Sequence, residues 1–320
     1  MIAGFFVSII YLIITTSIEG KINLFGVENY YIKLIGFFIG IIILGLVCYI
    51  DDAKGVPSFV KLIAQIIAAI IVVNCGIRIN NISIPFSEGK MLINDTASYI
   101  LTICWIIGIT NAINLIDGLD GLSSGVTLIS CLSLLIVFAL NASPLIAIVL
   151  ITALAGAIVG FLPFNFSPAK TFIGDTGSNF MGFCLAIISI LGVAKTYTAL
   201  VLIAPIIILG MPIFDTLFAI VRRIIKGKSL KAVFKPDKGH LHHKLMAKGY
   251  TQRQAVLMMY GITAILGMFA VILLESGIWK ALSFALLIIA IIAIGYKDVV
   301  RLMNDDDDEK IDKQHIRKQD

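Results

Sequence analysis

The sequence contains little charge. Only 14% of its 320 residues are Asp, Glu, Lys or Arg, whereas 59% are hydrophobic, and the mean hydropathy is +1.00. This composition excludes an ordinary soluble globular domain, in which about a quarter of the residues are charged. The net charge of +5 is also too small to indicate a nucleic-acid partner. The composition therefore predicts an integral membrane protein embedded in a lipid bilayer.

The cysteines lack the spacing of a disulfide framework or a zinc site. No CxxC pair occurs, and each cysteine lies within or at the edge of an apolar run: Cys48, Cys75, Cys104, Cys131 and Cys184. In such a setting cysteine behaves as a small hydrophobic residue. The N-terminal MIAGFFVSIIYLIITTSI also lacks the basic region and the small-residue cleavage site of a signal peptide, so it is predicted to be a membrane span.

Long apolar runs recur almost from end to end, with short polar joints between them. Because about 20 apolar residues cross a bilayer, the runs predict ten spans, at 2–18, 33–50, 58–76, 97–115, 122–140, 143–161, 179–193, 198–221, 254–275 and 278–296. We expect an all-α, polytopic membrane domain over 1–303, a charged tail over 304–320, and a small external hairpin within 77–94. The pairs Gly36/Gly40 and Gly156/Gly160 have a spacing that predicts close helix packing.

Lys and Arg are concentrated in alternate joints. The joints 51–57, 116–121, 162–178, 222–253 and the tail after 297, together with Lys61 beside the first of them, carry most of these residues. Loops rich in Lys and Arg face the cytoplasm in membrane proteins. These joints, including the basic loop 222–253, are therefore predicted to be cytoplasmic.

Four polar stretches interrupt the apolar pattern, and all lie on the predicted cytoplasmic side. They are DDAKGVPSFVK (51–61), NAINLIDGLDGLSSG (111–125), FIGDTGSNFMG (172–182) and KPDKGHLHHKL (235–245). In the second stretch Asn114, Asp117 and Asp120 are three residues apart, so they share a face if the segment is helical. Polar groups at the border of an apolar helix are costly unless paired or solvated. This stripe indicates a cavity, an ion or a substrate rather than a helix end alone.

The first and third stretches contribute further carboxylates. Asp51 and Asp52 lie about 100° apart if helical, so they point at different atoms; a capped turn is an equally good interpretation for Asp52. Lys61, one turn into the next span, is either an interfacial anchor or a phosphate ligand. Asp175 lies between glycines that let a ligand approach the backbone, although GDTGS could equally be an ordinary N-cap.

Three of the four histidines, His240, His242 and His243, lie together in the basic loop. The loop lacks the cysteine partners of a zinc site, so the histidines favour an anionic ligand such as a pyrophosphate. Contact of the lysines with anionic lipid is the alternative. Carboxylates and an amide opposite histidines and lysines predict metal-assisted phosphoryl transfer, in which the acidic groups hold Mg²⁺ and the basic loop neutralises developing charge.

Taken in order, the motifs resemble the polyprenyl-phosphate N-acetylhexosamine-1-phosphate transferase family. They are DD with a lysine nine positions later, NAxNxxDGxDGL, GDTGS and the HxHH loop. The resemblance implies transfer from a UDP-N-acetylhexosamine to undecaprenyl phosphate at the inner face of a bacterial cell membrane, with release of UMP. HLHHKL resembles the branch that transfers N-acetylglucosamine 1-phosphate and begins teichoic acid, O-antigen or other surface polymers. The murein-precursor branch, which transfers phospho-N-acetylmuramoyl-pentapeptide, is the alternative.

The resemblance also implies roles for individual residues. Mg²⁺, which Mn²⁺ could replace, would be held by Asn114 and Asp175. Lys61 and Asp51 would face the lipid phosphate, with Asp51 as the candidate base. The other implied catalytic residues are Asp52, Asp117 and Asp120, the last two near the nucleotide and pyrophosphate, while His240, His242 and His243 would contact the donor. Direct in-line attack is preferred over a covalent aspartyl intermediate, and a homodimer would fit the family.

The resemblance implies one departure. Family members have a further helix before the present first span, joined by a basic loop that ends in glycines near Gly4, whereas this sequence starts at MIAG. We therefore expect that helix to be absent from this sequence.

Two other functions are compatible with a polytopic helical protein. An ion-coupled secondary transporter would place ionisable residues near mid-bilayer and show an inverted repeat. A scaffold for other envelope proteins would not need the stripe of Asn114, Asp117 and Asp120. Charged residues clustered at one predicted surface favour the enzyme.

Overall fold

The computed structural model describes residues 1–18, 29–79, 81–83, 90–92, 94–193, 199–227 and 239–276, together with 278, 280, 282–286 and 288–289. The chain divides into two compact units, residues 1–274 and 275–320. The first unit contains the helices that carry the predicted site. The domain boundary predicted after residue 303 lies outside the described residues, as does much of the last predicted span, and both stay predictions.

Helices dominate the described part of the chain. In order they are α1 (Ile2–Ile18), α2 (Tyr30–Lys54), α3 (Ser58–Asn74), α4 (Asp95–Leu115), α5 (Leu122–Leu140), α6 (Leu145–Asn165), α7 (Gly174–Val193), α8 (Ala199–Ile208), α9 (Gly210–Gly227), α10 (Leu241–Ala247) and α11 (Gln252–Ser276). Between α3 and α4, β1 (Asn81–Ser83) pairs antiparallel with β2 (Lys90–Leu92). The predicted hairpin within 77–94 is therefore confirmed.

Six helices are long and apolar enough to cross a membrane: α2, α4, α5, α6, α7 and α11. The helices α1 and α3 are apolar but have only 17 residues each, about 25 Å at 1.5 Å per residue, less than the hydrocarbon thickness of about 30 Å. The structure thus supports a helical membrane protein, with fewer full-length spans among the described residues than the ten that hydropathy predicts.

The predicted single helix over 198–221 is wrong in the structure. The chain forms α8 and α9 instead, with Leu209 between them. Pro212 has no N–H to donate to the carbonyl of residue 208, and its ring crowds that carbonyl. Hydropathy does not detect this interruption because apolar residues continue on both sides of Leu209.

The helix α7 lies at the centre of the bundle. It packs against α2, α4, α5 and α6, and its residues from Gly177 to Val193 are all buried. At Gly182 a Cβ would contact the backbone of Thr110 at 2.8 Å, so the glycine allows α7 to approach α4 closely. The first residues of α7 are consequently fixed relative to the ends of the neighbouring helices.

The two glycine pairs have different outcomes. Gly36 faces Cys75 and Gly40 faces Phe183, each so closely that a Cβ would overlap the neighbouring side chain. At Gly156 and Gly160, an added Cβ would have no atom of a neighbouring element within 4 Å. The packing prediction is confirmed for the first pair and wrong for the second within the described structure.

Candidate active site

The polar stretches meet at one end of the helical bundle. The C-terminus of α2, the N-termini of α3, α5 and α7, and the joint after α4 all lie at this end, and side chains from them contact one another. We call Asp51, Asp52, Lys61, Asn114, Asp117 and Asp175 the acidic cluster. His240, His242 and His243 form the histidine cluster.

Lys61 joins two carboxylates of the acidic cluster. Its Nζ lies 2.7 Å from Asp51 Oδ2 and also donates to Asp175 Oδ2. The three side chains are only 10% to 30% exposed. Asp51 Oδ1 also accepts from the backbone N–H of Val56. An ammonium group has three donors, so one donor of Lys61 remains for another anion.

Asp52 points away from Asp51 and caps α7. Its carboxylate accepts from the backbone N–H groups of Asp175 (2.8 Å) and Thr176 (3.0 Å) and from Thr176 Oγ1 (2.6 Å). The negative charge also suits the positive end of the helix dipole. The turn predicted at Asp52 is replaced by the end of α2, which continues to Lys54. The N-cap suspected within GDTGS is supplied from another helix.

The predicted helical stripe of Asn114, Asp117 and Asp120 is wrong, because α4 ends at Leu115. Only Asn114 is helical, and its Oδ1 accepts from Ser178 Oγ at 2.8 Å. Asp117 follows the helix and accepts from Ser123 Oγ at 2.6 Å. Asp120 lies in the turn to α5. The next residue, Gly121, has a φ of 78°, a backbone conformation that is strained for any residue with a side chain.

Asp117 and Asp120 have different surroundings. Burial raises the pKa of the Asp117 carboxyl to about 6; the Ser123 hydroxyl opposes this, and the negative charges of Asp175 and Asp52 add to it. Asp120 Oδ2 instead accepts from the backbone N–H of Ala169 at 3.2 Å, so it holds the segment that leads into α7. Of these two carboxylates, Asp117 therefore lies near Asp52 and Asp175 of the acidic cluster.

Behind the acidic cluster lies a layer of three amides that sequence reasoning missed. Gln65 donates to Asn179 Oδ1 (3.0 Å) and exchanges hydrogen bonds with Asn111. Each amide is one helical turn from a residue of the acidic cluster. Gln65 is four residues after Lys61, Asn111 is three residues before Asn114, and Asn179 is four residues after Asp175. This spacing within apolar helices was the signal that could have identified them. The amides join α3, α4 and α7.

The histidine cluster faces the joint after α4. The ring of His242 is 1% exposed and packs so closely on Gly118 that a Cβ there would collide with its Nε2. Among the described residues, neither ring nitrogen of His242 has a hydrogen-bond partner. Burial, with smaller contributions from His243 and His240, lowers its pKa to about 4. His242 is consequently neutral at pH 7, and His243 is the half-buried member of the cluster.

A second residue missed from the sequence, Asp215 of α9, holds His240. Its Oδ2 lies 2.8 Å from His240 Nδ1, and its Oδ1 accepts from the backbone N–H of Leu241 at 2.8 Å. A lone carboxylate within the apolar run GMPIFDTLFAI is the signal that could have identified it. Lys235 and Lys238, which the sequence placed beside the histidines, lie outside the described residues.

The acidic cluster suits Mg²⁺ in its donor atoms. Within the described residues, no group of three or more His, Cys, Asp or Glu side chains forms a ready-made metal site. Mg²⁺, however, usually binds through one or two carboxylates together with substrate phosphates and water. Burial is the main cause of the raised pKa of Asp117, and the negative charges of Asp175 and Asp52 add to it; a cation beside these carboxylates would offset that added charge. The residues therefore fit a magnesium ion brought together with a phosphate ligand.

Comparisons with known proteins agree with this chemistry. Residues 34–193 match the family model described as glycosyl transferase family 4. The chain is 42% identical to the probable undecaprenyl-phosphate N-acetylglucosaminyl 1-phosphate transferase of Bacillus subtilis, over 85% of this chain and 73% of that protein. It is 36% identical to the decaprenyl-phosphate N-acetylglucosaminephosphotransferase of Mycobacterium leprae, over 66% of this chain and 57% of that protein. It is 32% identical to the phospho-N-acetylmuramoyl-pentapeptide-transferase of Bacillus thuringiensis, over 81% of this chain and 78% of that protein.

Proposed function

The chain belongs to glycosyl transferase family 4, and we propose that it transfers N-acetylglucosamine 1-phosphate from UDP-N-acetylglucosamine to undecaprenyl phosphate, releasing UMP. The relatives with 42% and 36% identity carry names for this transfer to a polyprenyl phosphate. The observation that carries the proposal is the sharing of one ammonium group, that of Lys61, between carboxylates of two helices at the bundle end.

Lys61 is suited to bind the phosphate of the acceptor. Its remaining donor can bind a phosphate oxygen while Asp51 and Asp175 hold the ammonium in place. Lys61 begins the second turn of α3, so it lies close to the bundle end where a lipid headgroup would arrive. The isoprenoid tail would remain in the apolar phase.

The nucleotide-sugar donor would lie between the two clusters. The N–H of the neutral His242 ring and the half-buried ring of His243 supply capacity for hydrogen bonds to an anion. His242 packs on Gly118 in the turn after α4, next to Asp117 in the sequence. The diphosphate would then approach the acceptor phosphate from the side of the histidine cluster.

Asp175 and Asn114 are the residues we assign to Mg²⁺, with Mn²⁺ as a substitute. Held by these residues, the ion would supply positive charge that offsets the charge developing on the leaving group. Ser178 orients the amide of Asn114, and the capping of α7 by Asp52 fixes the backbone of Asp175. Asp52 thus acts on the site by holding the backbone of α7.

Direct in-line attack by the acceptor phosphate requires little acid–base help. A phosphate monoester loses its second proton near pH 6, so the acceptor is already nucleophilic at pH 7. Asp51 can take a residual proton, but its contacts with Lys61 and Val56 make positioning the larger contribution. The bond from the β-phosphorus to the new oxygen forms as its bond to the UMP oxygen breaks.

The proposal extends to the cellular setting. The loops rich in Lys and Arg support an active site on the cytoplasmic side of a bacterial cell membrane, and hydropathy predicts ten spans. The product would begin a surface polymer such as teichoic acid or O-antigen, and a homodimer is the expected assembly. Family membership favours an enzyme over the transporter or scaffold, and the lower identity to murein-precursor relatives places that branch second.

A UMP-release assay tests the function. Membranes containing the chain are supplied with undecaprenyl phosphate, Mg²⁺ and either UDP-N-acetylglucosamine or UDP-N-acetylmuramoyl-pentapeptide. We expect UMP release with the first donor, and loss of it on Asp175→Asn. Asp95→Asn is the matched control, because it removes an exposed carboxylate at the opposite end of α4.

Three outcomes would contradict the proposal. They are release only with the muramoyl donor, activity retained by Asp175→Asn, and no release from folded protein with either donor. Omission of divalent ions tests the cofactor separately, since activity unaffected by a chelator would exclude the proposed metal.

A further inference from the structure

Asp215 is a buried carboxylate with a position outside both clusters. Its side chain is 8% exposed and that of His240 is 5% exposed. Ionised groups within apolar helices are costly unless they are paired. Both oxygens of Asp215 are used, one by the ring of His240 and one by the backbone N–H of Leu241.

These two hydrogen bonds fix more than one ring. Leu241 is the first residue of α10, so the same carboxylate sets the start of the helix and the orientation of the imidazole before it. Because a carboxylate can only accept, Nδ1 of His240 carries the proton in its contact with Asp215. The tautomer and the ring plane are thereby set by α9.

The effect continues to the rest of the histidine cluster. The rings of His240 and His242 are nearly parallel, with centroids 5.8 Å apart, and His242 and His243 are 4.2 Å apart. His242 in turn packs on Gly118 in the turn that follows α4. A displacement of His240 would therefore shift the ring that packs on Gly118.

The helix α9 supports this segment at a second point. Arg222 lies two turns after Asp215, on the same face of the helix. Its guanidinium occupies the space that a side chain at residue 239 would need. Residues 239 to 241 thus lie against α9 at both ends of a short segment.

We propose that Asp215 is a positioning residue for the sugar-nucleotide side of the reaction. It acts through His240 and Leu241 and, being buried, does not itself contact the donor. The inference rests on the proposed function, because the donor is the substrate of that reaction. It adds a residue from α9 that lies outside the four polar stretches of the sequence.

A double-mutant cycle tests the inference. The variants are Asp215→Asn, His240→Ala and the two combined, with Thr216→Val as the matched control. Thr216 is the neighbour of Asp215 on α9, and its buried hydroxyl has no hydrogen-bond partner, so its removal should change activity little.

The Asp215→Asn substitution keeps the shape of the side chain but leaves one acceptor oxygen for two donors, Nδ1–H of His240 and the backbone N–H of Leu241. We expect kcat/KM for UDP-N-acetylglucosamine to fall about 10- to 100-fold, the range found for residues that orient a functional histidine. The fall should appear as a higher KM for the donor, while KM for undecaprenyl phosphate is unchanged. A merely structural role would reduce the active fraction and leave both KM values unchanged. In the His240→Ala background, Asp215→Asn should cost less than about threefold more, since the two residues act as a unit.

Hydrogen exchange provides a readout that does not depend on activity. The amide of Leu241 should exchange faster in Asp215→Asn than in the parent or in Thr216→Val. If Asp215→Asn does not fold, Asp215→Glu, which keeps both oxygens, should restore slow exchange and part of the donor affinity relative to Asp215→Ala. Unchanged exchange at Leu241, an unchanged donor KM or multiplicative effects in the double variant would each overturn the inference. No UMP release from the parent would instead overturn the proposed function, and the exchange data would still decide whether Asp215 holds the loop.

Discussion

The acidic cluster and the histidine cluster both border the turn after α4 but are stabilised differently. The acidic cluster is tied together by side-chain hydrogen bonds among α2, α3, α4 and α7, with the amide layer behind it. The histidine cluster depends on Asp215 and on close packing against Gly118. Within the described structure, the first cluster has its polar groups largely paired, whereas His242 in the second has two unpaired ring nitrogens.

This difference suggests a division of labour. A network whose members are hydrogen-bonded to one another is prearranged before any ligand binds. Buried nitrogens without partners carry a cost that a ligand can remove. The acidic cluster therefore has the properties of a rigid, prearranged binding site for metal and phosphate. The histidine cluster has those of a binding surface whose hydrogen bonds are completed when the donor binds.

The largest expected effect comes from removing the cation that holds the acidic cluster together. Lys61→Met leaves the carboxylates of Asp51 and Asp175 facing each other without the shared ammonium. We expect UMP release to fall about 10²- to 10³-fold, the magnitude of losing a prearranged charged contact. Lys54→Met removes an exposed lysine from the end of α2 and is the control. Near-normal activity of Lys61→Met would contradict the view that the acidic cluster is a prearranged network held together by Lys61.

A change in shape alone should disturb the histidine cluster. A methyl group at Gly118 would collide with His242 Nε2. We expect Gly118→Ala to reduce activity about tenfold, because overpacking costs about 1–3 kcal/mol and the ring can shift to relieve it. Gly156→Ala, at an exposed glycine with open space around it, should leave UMP release unchanged. Equal effects of both substitutions would show that packing at Gly118 is unimportant.

The amide layer offers a stability test of the acidic cluster. Gln65→Leu removes the partner of Asn111 and Asn179 while retaining most of the side-chain volume. Leaving buried amides unpaired costs about 1–3 kcal/mol, which thermal unfolding in detergent would record as a lower midpoint. Thr152→Val is the control, because its exposed hydroxyl bonds only within its own helix. An unchanged midpoint for Gln65→Leu would show that the layer does not stabilise the bundle.

The smallest effect near neutral pH concerns protonation of His242. Its pKa falls from 6.5 to about 4, chiefly because the ring is buried, so the packed loop favours the neutral ring. The stabilisation is complete well above pH 6.5 and is lost as the pH falls from about 6.5 towards 4. Protection of residues 239–247 from hydrogen exchange, corrected for intrinsic rates, should decline over this range. His242→Gln should flatten the decline, and an identical decline in that variant would exclude His242 as its cause.

The sequence predicts the larger elements because their signals are local. Apolar runs of the right length identify α1 to α7 within a few residues, and the hairpin follows from a short alternating segment. The break before α9 was missed, because hydropathy does not record where a proline prevents helical hydrogen bonds. The span predicted at 97–115 ends where α4 ends, but the stripe of Asn114, Asp117 and Asp120 assumed a helix that continues beyond it.

For the site, the sequence identifies which types of residue are involved but not which residues contact one another. The motifs identify Asp51, Lys61 and Asp175 as candidates, and their roles in catalysis and metal binding stay predictions. Which carboxylate shares the ammonium and which caps a helix depends on residues brought together by packing: Lys61 and Asp175 are 114 positions apart. Asp215 and the amide layer went unnoticed for the same reason.

By itself, the sequence determined that the chain is a helical membrane protein with polar motifs at alternate joints, because hydropathy and charge are properties of neighbouring residues. The tertiary structure alone decided that Asp51 and Asp52 diverge, that Asp117 and Asp120 have different partners, and that α9 supplies the support of His240. Those outcomes depend on the directions in which side chains leave packed helices, and these directions are fixed only when the helices come into contact.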